Sequence, residues 1–265
     1  MQNELYDVVV LGASVEGIAL CEYVKAKSPK TKVALVSRHF KFIKPNNKLA
    51  DTVKIQGDSA FSSYNHGVVI LTLKNRKTVV GKNLVIATGA TPVRTTSLKN
   101  ANICYNPRDL KDSSKTKPAV VYGSNSDAVS YALSMAKKFK YVYLCSKDMK
   151  LSCDAKLVKK LNATANVVYL PTCNIVSCKN NKEGHLSEIT LDTYDTINCS
   201  ALVLALGKTP DVNGIDTKMV ELDQDKYIKT NTQHQSTKVP NIYAIGECTR
   251  HNTKRSITAV GSKLI

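Results

Sequence analysis

The stretch Tyr6-Asp7-Val8-Val9-Val10-Leu11-Gly12-Ala13-Ser14-Val15-Glu16-Gly17 sets two patterns end to end. Residues 6–11 are a short, apolar, β-branched run, the signature of a strand buried on both faces. Gly12 stops that run. Apolar Ile18, Leu20, Tyr23 and Val24 follow in a helical stretch that closes near Ser28-Pro29, where proline cannot continue a helix. Val33-Ala34-Leu35-Val36 is the next strand, completing a βαβ unit with a glycine turn at the helix entrance. In such a turn the first glycine permits a tight bend and the second lets the backbone approach a pyrophosphate. A third small residue lets helix and strand pack closely, and the helix N-terminus faces the phosphates. This turn reads G-x-S-x-x-G, with Ser14 in the second place.

The unit occurs twice. Ala119-Val120-Val121-Tyr122 runs into Gly123-Ser124-Asn125-Ser126-Asp127-Ala128. Val129, Ala132, Leu133 and Ala136 then keep helical spacing, and Tyr141-Val142-Tyr143-Leu144 forms the following strand. Its turn reads G-x-N-x-x-A, with Asn125 in the second place. Ser14 and Asn125 are both small and able to hydrogen-bond a phosphate. Two copies predict an α/β protein of two nested Rossmann-like dinucleotide-binding domains with a three-layer ββα/βαβ build. Strand-like runs at 68–73, 167–170, 189–191, 202–206 and 227–230 read as excursions from the parallel sheets.

The formal charge of +17 raises the possibility of a nucleic-acid partner. Only six of the 38 basic residues are Arg, the lysines are spread along the chain, and no basic block is interleaved with aromatics. That pattern argues for a solvated basic surface and against nucleic-acid binding. No run approaches the roughly 18–20 apolar residues of a membrane helix, and no basic leader opens the chain, so a cytoplasmic location is expected. The eight cysteines include no C-x-x-C, the spacing of a zinc ribbon or a dithiol. His39, His66, His185, His234 and His251 show no spacing of a metal site or triad, so no metal and no catalytic side chain is assigned.

Further segments carry a family resemblance. Leu84-Val85-Ile86-Ala87-Thr88-Gly89-Ala90-Thr91-Pro92 resembles the A-T-G-A-x-P segment by which FAD-dependent pyridine nucleotide-disulfide oxidoreductases pass from one nucleotide unit to the other. Val239-Pro240-Asn241-Ile242-Tyr243-Ala244-Ile245-Gly246-Glu247 resembles their second FAD motif, with Glu247 where Asp is usual. Leu204–Asp211 is similar to the G-x-x-P stretch, and Lys254–Gly261 to the thioredoxin-reductase helix beneath the flavin. The order of these segments over nearly the whole chain is that of the thioredoxin-reductase-like and ferredoxin-reductase-like branches.

The resemblance implies an FAD-binding-like domain at 1–110 plus 233–265 and an NAD(P)-binding-like domain at 111–232. It implies FAD on Gly12, Ser14, Gly17, Ala87, Thr88, Gly89, Gly246 and Glu247, and NAD(P)H on Gly123, Asn125, Ala128 and Lys147. The second strands end at Ser37-Arg38 and Ser146-Lys147, neither acidic. Lys147 and Lys150 either accept a 2′-phosphate, favouring NADPH, or stand as solvated lysines.

Three departures bear on function. The positions of the thioredoxin-reductase dithiol read Asn106 and Asp109, within an Asn106–Asp112 run similar to one in ferredoxin-reductase-like relatives. Only the 48 residues 39–86 lie between Arg38 and Ala87, fewer than such reductases place over the flavin. The chain also stops soon after Gly261. Two readings follow from the resemblance. One is an FAD-dependent NAD(P)H oxidoreductase passing electrons to an unidentified acceptor without its own disulfide. The other is a non-catalytic descendant used for binding, and a basic nucleic-acid-binding module ranks behind both.

Overall fold

Val8, Val9 and Val10 lie fully inside because strand β1 (Leu5–Leu11) has neighbours on both edges and apolar cover on both faces. The structure is a computed structural model. It describes residues 4–41, 43–44, 48–49, 51–95, 98, 103–110, 115–231, 237–250 and 254–265, with the side chains of 254–256 and 259 left aside. The expectations for His234, His251 and Asp112, and for the Lys254–Ser256 side chains, lie outside the described residues.

Helix α1 (Val15–Lys27) follows β1, then β2 (Val33–Ser37) and β3 (Thr52–Gln56). Next come β4 (Ser59–Asn65), β5 (Val68–Leu73) and β6 (Thr78–Ile86). The chain leaves this unit by β7 (Ala90–Pro92), returns by β16 (Lys208–Pro210), and adds β17 (Ile242–Ala244) and α4 (Lys254–Lys263). β3, β2, β1, β6 and β17 pair in parallel, while β4 and β5 continue from the first half of β6 as an antiparallel meander. On one face Ile18, Leu20, Cys21 and Val24 of α1 cover Val8, Val10, Leu35 and Val85. On the other, Ile215, Met219, Val220 and Ile228 pack with Val9, Leu11, Val36 and Leu71. Replacing a fully buried Leu such as Leu20 or Leu35 by Ala would cost about 2–5 kcal/mol.

The second unit has the same plan. β8 (Ile103–Cys104), β9 (Ala119–Tyr122), β10 (Val142–Cys145), β11 (Val167–Leu170) and β15 (Ala201–Leu204) form a parallel sheet in the order β11-β10-β9-β15-β8. Helices α2 (Ser126–Met135) and α3 (Ala155–Asn162) share a core with one face of it. The antiparallel set β12 (Ile175–Asn180), β13 (Leu186–Leu191) and β14 (Ile197–Asn198) shares a core with the other. The chain is therefore a mixed α/β protein of two nested Rossmann-type units.

The compact units comprise residues 1–91 with 209–265, and 92–208. The sequence reading divides the chain at 110 and 232. Residues 209–231 fall with the first unit because Asp211 N donates to Gly89 O at 3.0 Å and Ile215, Met219, Val220 and Ile228 fill its core. The expected strand at 227–230 is reduced to isolated bridges of Ile228 with Leu222 and Thr249. Its side chain is in the core, but no neighbouring strand among the described residues extends the ladder.

Candidate functional site

The two glycine turns are built from the same bonds. Gly12 N donates to Val36 O (2.8 Å) and Ala87 N to Leu11 O (2.8 Å). Gly123 N donates to Cys145 O (2.9 Å) and Ala205 N to Tyr122 O (2.8 Å). Each turn thus rises at the carboxyl end of a central strand between two parallel neighbours, where open α/β sheets take their ligands. Gly12 has φ +112, and a Cβ there would lie 2.3 Å from Ala87 O. Gly123 has φ +146, and its Cβ would lie 2.4 Å from Ala205 O. The third small residue differs between the copies. A Cβ on Gly17 would meet Gly12 O at 2.2 Å, whereas Ala128 sits fully buried beside Gly123 and its methyl is tolerated.

Ser14 and Asn125 do more than replace a glycine. Ser14 Oγ accepts from Gly17 N (3.1 Å) and Asn125 Oδ1 from Ala128 N (2.9 Å), so each side chain caps its own helix. A cap of this kind is worth about 1 kcal/mol. Asn125 Nδ2 also donates to Ala205 O (2.9 Å). The Ser14 hydroxyl accepts here and keeps its own O–H, which joins the first N–H groups of the two helices as donors available to an anion.

In the first unit the turn opens on a cavity of about 300 Å³ lined by Gly12, Ser14, Glu16, Arg38, Asp58, Thr88, Gly89, Asp211 and Glu247, among others. Gly17 and Ala87 do not line it; they pack against each other and against Gly12, whose turn does. Gly246 stands beside Glu16, whose Oε2 is 3.2 Å from where a Gly246 Cβ would be. Thr88 Oγ1 is buried with no nitrogen or oxygen partner among the described residues and faces the Cys248 thiol. Arg38 pairs with the buried carboxylate of Asp211, which also accepts from Asn213 Nδ2 at 3.0 Å. Glu16, Asp58 and the Arg38–Asp211 pair escaped the sequence reading, because partners so distant in the chain carry no local signal.

In the second unit the cavity is about 480 Å³ and is lined by Gly123, Ser124, Asn125, Lys147, Asp148 and Asn174, with apolar Ile175, Leu204 and Leu206. Lys147 lines it; Lys150 is exposed and does not. Asp148, one residue past the expected strand end, accepts from Ser124 Oγ at 2.6 Å.

All eight cysteines are free thiols. Asn106 caps a single 3-10 turn, Pro107–Asp109, by accepting from Arg108 N at 3.0 Å. Burial pushes the thiols of Cys21 and Cys199 up to about 12 and that of Cys248 up to about 11. Thiols so raised favour the folded state below their ordinary value near 9, but the unfolded chain releases these protons first. That contribution is therefore lost as pH rises through 11–12. The urea midpoint is expected to fall between about pH 9 and 11. Ellman's reagent at pH about 8 should reach at most the three half-buried thiols, Cys104, Cys153 and Cys178, before unfolding and all eight after. More than three fast thiols in the native protein would contradict the burial.

The profile of the pyridine nucleotide-disulphide oxidoreductase family matches residues 6–262. The chain belongs to this family. It is 25% identical over 308 aligned positions to a thioredoxin reductase of Ureaplasma parvum, covering all of this chain and 96% of that protein. A ferredoxin--NADP reductase of Colwellia psychrerythraea is 28% identical over 152 positions, covering 56% of this chain and 43% of that one. Among solved structures, thioredoxin reductase of Lactococcus lactis superposes with a TM-score of 0.79 at 13% identity, covering 98% of this chain and 97% of that chain. Thioredoxin reductase of T. acidophilum does so at 0.78 and 17%, covering 98% of each. These likenesses place the fold among two-unit reductases. Among the described residues no helix is long and apolar enough to cross a membrane.

Proposed function

We propose that the chain is an FAD-dependent NAD(P)H oxidoreductase that passes electrons to an external acceptor without a disulfide of its own. The observation that carries this reading is the pair of matching glycine turns, each opening on a cavity at the carboxyl end of a parallel sheet. Gly12, Ser14, Gly17, Ala87, Thr88, Gly89, Gly246 and Glu247 would hold FAD. The free donors at the start of α1 and the buried Thr88 hydroxyl suit a phosphate and its ribitol. Gly123, Asn125, Ala128 and Lys147 would hold the nicotinamide nucleotide. Bound flavin supplies the redox chemistry, taking a hydride and giving up electrons, while the protein positions and shields. The absence of C-x-x-C and the burial of five thiols support a relay that does not use cysteine.

Glu16 and Glu247 on the first cavity, and its modest volume, favour a second reading in which nucleotide binding has been lost and the fold serves as a binding protein. FAD titration of the purified protein separates the two. Weak but saturable micromolar FAD binding, partly lost on purification, with bleaching of the yellow flavin by NADH or NADPH, supports the reductase. No saturable binding at millimolar FAD would leave the binding protein standing. On the nicotinamide side Lys147 is the cation on the cavity wall that would favour NADPH, and the carboxylate of Asp148 on the same wall opposes it.

A further inference from the structure

Helices α2 and α3 cover one face of the second sheet and leave between them a groove of about 350 Å³. It shares no lining residue with the second nucleotide cavity. Its floor is apolar and recessed: Leu133 and Leu157 are half-buried and pack on the core beside Ala136. Asn166 fixes one end, its Nδ2 donating to Ala136 O (2.8 Å) and Phe139 O (3.1 Å). The rim is basic. Lys137 and Lys160 line the groove, and Lys156 stands one turn before Lys160. All three are exposed, and among the described residues no hydrogen bond or ion pair holds their ammonium groups. No Asp or Glu lies between Asp127 and Asp148, or between Asp154 and Glu183, so the stretches of chain that form this groove bring no carboxylate to it. Asp127, at the far end of α2, is paired with Lys208.

We propose that this groove is a docking site for an acidic amphipathic helix of a partner protein. The floor is concave, so whatever fills it must protrude, and leucine-sized side chains at i, i+3 and i+4 protrude together from one face of a helix. Carboxylates flanking that face would meet Lys137 and Lys160, which have no partner of opposite charge within the chain. Helices α2 and α3 have 10 and 8 residues, so the groove between them runs for about 12–15 Å, two to three turns of a partner helix. A second copy does not fit, because a chain of net charge +17 sets like charge against like. Nor does a nucleic acid: single-stranded bases take aromatic stacking faces, and no aromatic ring lines the groove. An anionic membrane calls for apolar side chains standing proud of the surface, whereas Leu133 and Leu157 are sunk between the helices. The assignment does not depend on either nucleotide cavity.

The test is fluorescence polarisation of three labelled probes with the full chain, at low and at high salt. The first is a synthetic helical peptide of about 12 residues with Leu at i, i+3, i+4 and i+7 and Glu elsewhere. The second has Ala for each Leu at unchanged charge, and the third is an oligo-dT of similar charge. The Leu peptide should bind at least about tenfold more tightly than the other two, and more weakly at high salt. Lys137→Glu with Lys160→Glu should weaken it at least about tenfold. Lys182→Glu with Lys218→Glu makes the same charge change on exposed lysines elsewhere and should alter it by less than about twofold. Equal losses in the two double variants, or equal binding of the Leu and Ala peptides, would reveal general attraction to a basic chain and overturn the groove. Tighter binding of oligo-dT, lost in Lys137→Glu with Lys160→Glu, would make this face a nucleic-acid surface instead. No saturable binding of the Leu peptide at millimolar concentration would also overturn the proposal.

Discussion

Gly12→Ala is expected to destabilise the protein by about 3 kcal/mol or more, lowering Tm by roughly 6–12 °C. The new Cβ would sit 2.3 Å from Ala87 O, 2.5 Å from Ala87 C and 2.8 Å from Thr88 Cα. All three are main-chain atoms, and Ala87 N is itself bonded to Leu11 O, so no flexible side chain can swing aside. The φ of +112 adds strain that any L side chain would feel. Gly89→Ala is the matched control. It also has positive φ, +72, but nothing lies within 4 Å of its added Cβ, so the cost is the backbone term alone, about 1–2 kcal/mol. Thermal melts followed by circular dichroism compare the two. Equal small losses would show that the close approach of Gly12 to the β6 end is relieved in solution.

Glu16→Gln is expected to tighten FAD binding about tenfold. Glu16 occupies the first turn of α1, where its carboxylate already complements the positive end of the helix dipole. It lines the cavity together with Glu247, at the mouth where a pyrophosphate would meet the helix N–H groups. Two like unit charges about 4 Å apart cost about 1 kcal/mol in bulk water and more in a partly shielded cleft. Each step of about 1.4 kcal/mol is tenfold in affinity. Gln keeps the size and removes the charge. Flavin-fluorescence titrations at low and high salt provide the check, because screening should shrink the gain. Identical dissociation constants for both proteins at low salt would remove Glu16 from the account of weak FAD binding.

Much of the fold is legible because it follows from local rules. The β-branched run 6–11, the glycine stop and the apolar spacing after it specify strand, turn and helix without distant partners. The same rules applied at 119–144 recover the second unit. The caps formed by Ser14 and Asn125 are also local, three residues from the N–H groups they satisfy. In the sequence they read as phosphate contacts, because a small polar residue at that place suits either use. The run 227–230 fails as a strand because alternation marks a half-buried segment but cannot supply a neighbouring edge.

The sequence by itself therefore determined two nested βαβ units, the glycine turns and the family, since each depends on residues within about one helix or strand of one another. Tertiary structure alone decided what stands around those turns. Arg38 meets Asp211 across 173 residues, Glu16 meets Gly246 through the parallel return of β17 beside β6, and Asp148 reaches Ser124 because β10 lies beside β9. Strand order and register bring these side chains together, and the charge they place at each cavity is a property of that packing, written in no single stretch of the chain.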